Sequence, residues 1–308
     1  MTAMWFAQGV PTPEPSHSSA KAQAERLVND AAAQKGVDGP DWVMQLIVAA
    51  TVLAVLWFIV KALAGKGFGP AVWLRIRLTP QIGALVAWGR SAPATVIYVS
   101  MWTATTIIVE GSPDSLVNAL TRFNSTNAFG LITDPVRALV ASALLVANQG
   151  TGFILYVIIF TMIVVRLEQK IGTARLIAVW IASHALASLI IVFVEVHGIR
   201  FGFAPKQLVL AADVGVSYVM VGSMGAYMLF VSKQWRIWYL LVMFVGIIVP
   251  MLFDFRIWDL GHFLATLIGF LTCLMVRRFG PVGPGLKWRE LASSAERYEP
   301  TRVRITSP

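Results

Sequence analysis

The chain has 308 residues and a formal net charge of +9, but only 13% of its residues are charged and 57% are hydrophobic. Its mean hydropathy of +0.70 excludes an ordinary soluble domain and indicates a multi-pass membrane protein. A single cysteine excludes a disulfide framework, and the histidines lack metal-ligand spacing, so we expect no metal and no cofactor. The basic residues cluster between apolar runs, as they do in membrane loops, so the charge does not indicate a nucleic-acid partner.

Residues 1–41 are polar and proline-rich at their start, which predicts a partly disordered outer tail. Seven apolar segments follow and predict transmembrane helices over about 43–64, 92–109, 152–165, 176–194, 214–231, 237–253 and 260–276. Several are shorter than the ~20 residues that cross a bilayer unaided. Short spans suggest a locally thinned membrane or helix ends that lie in a water-filled cavity.

If the N-terminus lies outside, most lysines and arginines fall in segments on the inner side of the membrane. Because inner loops are usually richer in these residues, the sequence predicts an N-out, C-in topology in the plasma membrane. On this interpretation residues 42–89 are an extra transmembrane helix with a basic inner linker. Residues 90–278 are a six-helix core, and residues 279–308 are a cytoplasmic tail. The long outer segment 111–151 contains a short apolar run after Asp134, which predicts an interfacial or re-entrant helix.

Two of the spans begin with an acid followed within about one turn by a reactive residue: Asp213 with Ser217, and Asp259 with His262. Both helices run inward, and Ser217 and His262 lie about 6 Å and 5 Å from their starts at 1.5 Å per residue, so the side chains share a depth. An imidazole can activate a serine hydroxyl. Each acid could orient the imidazole or simply favour the positive end of its helix dipole. His184 is predicted to lie near the bilayer centre, too deep to reach Ser217, and to have a structural role.

The residues resemble the rhomboid family of intramembrane serine proteases. Gly215-Val-Ser217-Tyr218, followed by Gly222 and Gly225, is similar to that family's serine span. His262, followed by Ala265 and Gly269, is similar to its histidine span, and Leu167-Glu168 with Gly172 and Arg175 is similar to a further motif. Asp-Val-Gly-x-Ser-Tyr paired with Asp-x-Gly-His resembles a divergent actinobacterial group. The resemblance implies a rhomboid-like core in which Ser217 is the nucleophile and His262 the general base, supported by Asp213, Asp259, Gly215 and Tyr218.

The sequence departs from the resemblance at two places. Gly152 and Tyr156 occupy the positions where active rhomboids carry a histidine and an asparagine that help to bind the oxyanion, although Asn148 or Gln149 could substitute. Tyr218 replaces the glycine after the serine, so the histidine helix must shift or leave a pocket for its ring. Two alternatives to a protease of transmembrane substrates therefore stay open. One is an inactive rhomboid-like protein that binds membrane partners, and the other is a small transporter. In each case the lipid bilayer is a partner.

Overall fold

The computed structural model describes residues 41–110, 112, 114–146, 151–211, 213–253 and 255–283. Every regular element in these residues is helical, which confirms the all-α prediction. The predicted tails lie largely outside the described residues, as do Asn148 and Gln149.

The N-terminal part contains two long helices, α1 (Asp41–Gly65) and α2 (Gly69–Arg90), joined by a turn in which Gly67 has φ 78°. The predicted basic linker is thus helical. A third helix, α3 (Pro93–Glu110), follows at a bend of 93°. Proline favours the first turn of a helix because it has no N–H to leave unpaired, and α3 begins with one.

The described part of the segment predicted to lie outside, between α3 and α7, contains three short helices: α4 (Asp114–Phe123), α5 (Ala128–Thr133) and α6 (Pro135–Ser142). Side-chain caps set where they begin. Asn127 accepts a hydrogen bond from the Gly130 N–H, and Asp134 accepts one from the Arg137 N–H. The helix expected after Asp134 is therefore present as α6.

The remaining core runs through seven further helices. In the described residues these are α7 (Thr151–Ile159), α8 (Val165–Ile171), α9 (Thr173–Arg200), α10 (Val216–Tyr227), α11 (Lys233–Met243), α12 (Val249–Phe253) and α13 (Ile257–Val276). Two π-helical turns, Phe160–Val164 and Phe244–Ile248, join α7 to α8 and α11 to α12. The 3-10 turn Met228–Phe230 follows α10.

Five helical segments of the described chain are long and apolar enough to cross a membrane. They are Val48–Gly65, Gly152–Ile171, Thr173–Arg200, Lys233–Phe253 and Ile257–Phe279. A sixth arises if α2 and α3 count as one bent span, and Val216–Phe230 is a shorter apolar helix. The chain is therefore a multi-pass membrane protein in contact with the lipid bilayer.

The short helix α10 is buried between α9 and α13, and glycines allow the close approach that the small-residue stripe predicts. A Cβ on Gly225 would lie 2.2 Å from the Thr266 carbonyl oxygen, and one on Gly269 would lie 2.1 Å from the Gly222 carbonyl oxygen. Only glycine permits these backbone contacts.

Glu168, from the Leu-Glu motif, fixes the start of α3 at the opposite end of the core from the start of α10. Its carboxylate is buried and accepts bonds from the N–H groups of Ala94 (3.0 Å) and Thr95 (2.9 Å). The hydroxyls of Thr95 and Thr173 donate to it at 2.7 Å each. Four donors compensate for burying this charge, and the negative group lies at a helix N-terminus, where the dipole favours it.

Candidate functional site

The start of α10 lies beside the middle of α9 rather than beside its C-terminal end. A Cβ on Gly215 would lie 2.1 Å from Cε1 of His184, which is near the middle of the 28-residue α9. The chain therefore returns from the C-terminal end of α9 to the level of its middle before α10 begins. The depth count predicted that His184 lies too deep to reach Ser217. The structure places the His184 ring beside Gly215, two residues before Ser217, so counting residues from Asp213 does not separate these two side chains by depth.

His184 contacts the end of α6 through one ring nitrogen. Its Nε2 lies 3.0 Å from the Leu139 carbonyl oxygen and 3.3 Å from the Ser142 hydroxyl. A carbonyl can only accept, so Nε2 carries the hydrogen and cannot also act as a base toward Ser142. The other nitrogen, Nδ1, is buried without a hydrogen-bond partner among the described residues. The Ser142–His184 contact is therefore a structural bond that joins α6 to α9.

Asp213 links the outer segment to α10. Its backbone oxygen accepts from the Thr126 N–H (3.0 Å), and its carboxylate accepts from the hydroxyls of Tyr218 (3.0 Å) and Thr126 (3.3 Å). Burial raises the pKa of the Asp213 carboxyl to about 7, while the bonds from Tyr218 and Thr126 lower the pKa in part. Asp213 thus holds Tyr218 in place.

Tyr218 lies between α10 and α13 and brings the serine and histidine helices into register. Its ring is fully buried and meets the His262 ring edge-on, with centroids 5.3 Å apart. A Cβ on Gly261 would lie 2.1 Å from the Tyr218 hydroxyl oxygen. The space that the sequence requires for this ring is therefore provided by Gly261, and α13 approaches α10 closely despite the tyrosine.

Ser217 occupies the first turn of α10, where backbone N–H groups have no intrahelical acceptor. Within the described residues, the N–H groups of Val216, Ser217 and Tyr218 donate to no backbone or side-chain acceptor, while Val219 N–H is the first to bond, to Gly215 O at 3.1 Å. The Ser217 hydroxyl donates to the carbonyl oxygen of Val214, which precedes α10, over 3.3 Å. That distance is longer than the ~2.7–2.8 Å of a typical O–H···O bond, so the hydroxyl is weakly held.

His262 lies in the second turn of α13, next to Tyr218. Its ring nitrogens have no hydrogen-bond partner in the part of the chain that the structure describes, and no bond joins its ring to the Ser217 hydroxyl there. Asp259 accepts from the Arg256 N–H at 3.0 Å, which caps the start of α13. Of the two roles open to Asp259, the observed contact is that of a helix cap.

Three contributors to this region were not singled out from the sequence: Thr126, Leu139 and Ser142. All come from the segment between α3 and α7, where neither spacing nor periodicity relates them to His184 or Asp213, 42 or more positions later. Gly215, by contrast, was expected on the α10 stripe, and the structure adds a reason for it. No residue larger than glycine leaves room for the His184 ring.

The fold and this region define a helical membrane protein in which a serine begins a short buried helix and a histidine comes from the helix packed against it. Residues 87–281, more than half of the chain, match the family model described as rhomboid-like protein. The chain therefore belongs to the rhomboid-like family, which confirms the resemblance. No curated protein and no solved structure matches it.

Proposed function

We propose that the protein is an intramembrane serine hydrolase, a protease that cuts transmembrane segments near their outer ends, with Ser217 as nucleophile and His262 as general base. The observation that carries this proposal is the N-terminus of α10, where the N–H groups of Val216, Ser217 and Tyr218 have no acceptor among the described residues. Such N–H groups, aided by the helix dipole, can bind the oxyanion that forms during acyl transfer.

The proposed reaction uses the weakly bonded Ser217 hydroxyl and the His262 ring. The Ser217 hydroxyl turns from Val214 O toward His262, at a cost limited by the weakness of a 3.3 Å bond. His262 takes the hydroxyl proton as Ser217 attacks the scissile carbonyl, and returns it to the leaving amine. Water then attacks the acyl-enzyme with His262 again as base. No step needs a metal or cofactor.

The remaining residues of the proposed site position these two. Asp213 holds the Tyr218 hydroxyl, and the Tyr218 ring contacts His262, so the acid acts on the base through the tyrosine. Asp259 caps the helix that carries His262, and Gly215 brings α10 against His184. Ser142 and His184 do not form the dyad, because the nitrogen that faces Ser142 donates to Leu139 O.

We infer that α1 is an extra span before a six-span core over 90–278, with α10 as the core's short member. The tail 1–41 then lies outside, and 279–308 lies in the cytoplasm of a cell bounded by the plasma membrane. Support comes from the clustering of Lys and Arg in the segments assigned to the inner side. The start of α10 then faces outward, where water and the outer ends of substrate segments are available.

A cleavage assay in liposomes with a reporter transmembrane segment tests the proposal. We expect Ser217→Ala and His262→Ala each to abolish cleavage, and Ser142→Ala, the matched serine control, to retain it. His184→Gln, which keeps an N–H donor near Leu139, should retain most activity. Cleavage that survives in Ser217→Ala, or that depends on Ser142 instead, contradicts the assignment of the nucleophile.

A second candidate is an inactive rhomboid-like protein that binds membrane partners. Two observations favour it: the Ser217 hydroxyl donates to the Val214 carbonyl oxygen, and Gly152 and Tyr156 stand where two oxyanion donors are expected. Losing one such donor typically lowers the rate about 10²–10³-fold. This candidate predicts that Ser217→Ala leaves a deletion phenotype fully complemented, whereas Arg137→Ala in the outer segment does not. Complementation lost with Ser217→Ala, in a folded protein, would exclude it.

A further inference from the structure

A cavity of about 460 Å³ opens at the end of the core opposite to the start of α10. It lies between the Gly152–Ile171 span, the end of α10 and the start of α11. Apolar side chains such as Ile163 and Val242 form one part of its wall, and aromatic rings, among them Trp235 and Trp238, form another. Tryptophans of this kind are typical of the membrane–water boundary.

The polar groups that line the cavity are mainly donors. Arg166, Tyr227, Trp235 and Trp238 contribute a guanidinium, a hydroxyl and two indole N–H groups. None of these four has a hydrogen-bond acceptor among the described residues, whereas the hydroxyl of the neighbouring Tyr239 donates to Met224 O at 2.7 Å. No aspartate or glutamate is among the lining residues. A wall of unpaired donors with no carboxylate suits an anion with several acceptor oxygens.

The charges around the cavity have the same sign. Lys170 places its Nζ 5.9 Å from the centroid of the lining Phe230 ring, and Arg236 reaches Val231 O, also in the lining, at 3.4 Å. Lys233 follows the lining Ser232 directly. Arg175 marks the same end of the molecule, since it contacts the carbonyl oxygens after α13. A cationic, aromatic cavity between spans therefore lies where phospholipid headgroups lie.

We propose that this cavity binds the phosphate of an anionic phospholipid, with Arg166 as its main ligand. The Tyr227 hydroxyl and the indole N–H groups of Trp235 and Trp238 donate to the remaining phosphate oxygens, and the acyl chains follow the apolar wall. The bound headgroup bridges the Gly152–Ile171 span and α11, which otherwise leave this gap between them. The inference is independent of whether Ser217 is a nucleophile.

Titrating the full-length protein in detergent micelles with phosphatidylglycerol or phosphatidylcholine, and following the thermal unfolding midpoint, tests the proposal. Phosphatidylglycerol should raise the midpoint saturably and more than phosphatidylcholine. Arg166→Gln should weaken the apparent affinity for phosphatidylglycerol roughly fivefold. Arg278→Gln, which removes the same charge at the same end of the molecule outside the cavity, should leave it unchanged.

A second measurement serves if Arg166→Gln does not fold. Brominated phosphatidylglycerol should quench a saturable part of the tryptophan fluorescence, and the Trp235→Phe/Trp238→Phe variant should lose that part. Equal effects of the two lipids, wild-type affinity in Arg166→Gln, or quenching unchanged in the double variant would overturn the proposal. Competition by millimolar inorganic phosphate would show a site for free anions rather than for lipid.

Discussion

The contact between Gly261 and Tyr218 yields a sharp prediction for Gly261→Ala. The added Cβ would lie 2.1 Å from the Tyr218 hydroxyl oxygen and 2.5 Å from Cζ, so the ring must move by more than 1 Å to reach ordinary contact. The ring is fully buried, and its hydroxyl bonds Asp213 at 3.0 Å, so that movement breaks the bond. Overpacking costs about 1–3 kcal/mol, and a lost bond to a buried carboxyl adds roughly 1.5–3 kcal/mol.

We therefore expect Gly261→Ala to lower the free energy of unfolding by about 3–5 kcal/mol, measured as a lower thermal midpoint in detergent. Gly89→Ala is the control, because its Cβ would meet nothing closer than 3.8 Å. In a Tyr218→Ala background the Gly261→Ala cost should nearly vanish, since the clash is gone. A cost that persists there, or a Gly261→Ala midpoint equal to wild type, would refute the packing described here.

Three further predictions concern the carboxyls and the helix contacts. Burial raises the pKa of the Asp213 carboxyl in the folded protein to about 7, above its ordinary value of 3.8, so the folded protein binds an extra proton between these pH values. Stability should therefore fall as the pH rises from about 4 to about 7. Asp213→Asn should flatten the dependence of the thermal unfolding midpoint on pH over this range. An unchanged dependence would show that another group causes it. Glu168→Gln should lower the free energy of unfolding by about 2–4 kcal/mol, because one acceptor oxygen is lost and an amide group faces the donors. Gln169→Ala, which loses a single neutral hydrogen bond, should lower it by about 1 kcal/mol. Equal thermal midpoints of the two variants would be evidence against the cap. Gly222→Ala should lower the free energy of unfolding by about 1–3 kcal/mol, because the added Cβ would lie 2.3 Å from the Ser183 hydroxyl oxygen. Gly246→Ala, whose Cβ would meet nothing within 4 Å, should leave it unchanged. If both variants unfold at the same temperature, the α9–α10 contact is looser than described.

Much of the fold was predictable because it depends on local patterns. Apolar runs locate the long helices except α2, which was expected to be a basic linker, and a proline after a capping Asp134 locates α6. The glycine stripe predicts the α10–α13 contact, because only small residues let helix backbones meet. These features need no knowledge of where distant segments lie.

The depth of α10 could not be read from the sequence. Counting residues from Asp213 assumed that each helix starts at the membrane surface, whereas Gly215, just before α10, lies beside His184 near the middle of α9. The return path is fixed by contacts such as Thr126 N–H with Asp213 O and Gly215 N–H with Ser142 O, which join the outer segment to residues far along the chain. Such long-range backbone bonds leave no periodic signal. His184 was expected to have a structural role and to bond across helices, as it does to Leu139 and Ser142, but for the same reason its place beside Gly215 was not predicted.

The central claim is that the Ser217 hydroxyl can be activated at the start of α10. Its most direct test is to react the folded protein in detergent with a fluorophosphonate and to identify the modified residue by peptide mass spectrometry. We predict an adduct on Ser217 that disappears in His262→Ala and persists in Ser142→Ala. An adduct on Ser142, or none on Ser217 at any concentration of probe that leaves the protein folded, would contradict the account.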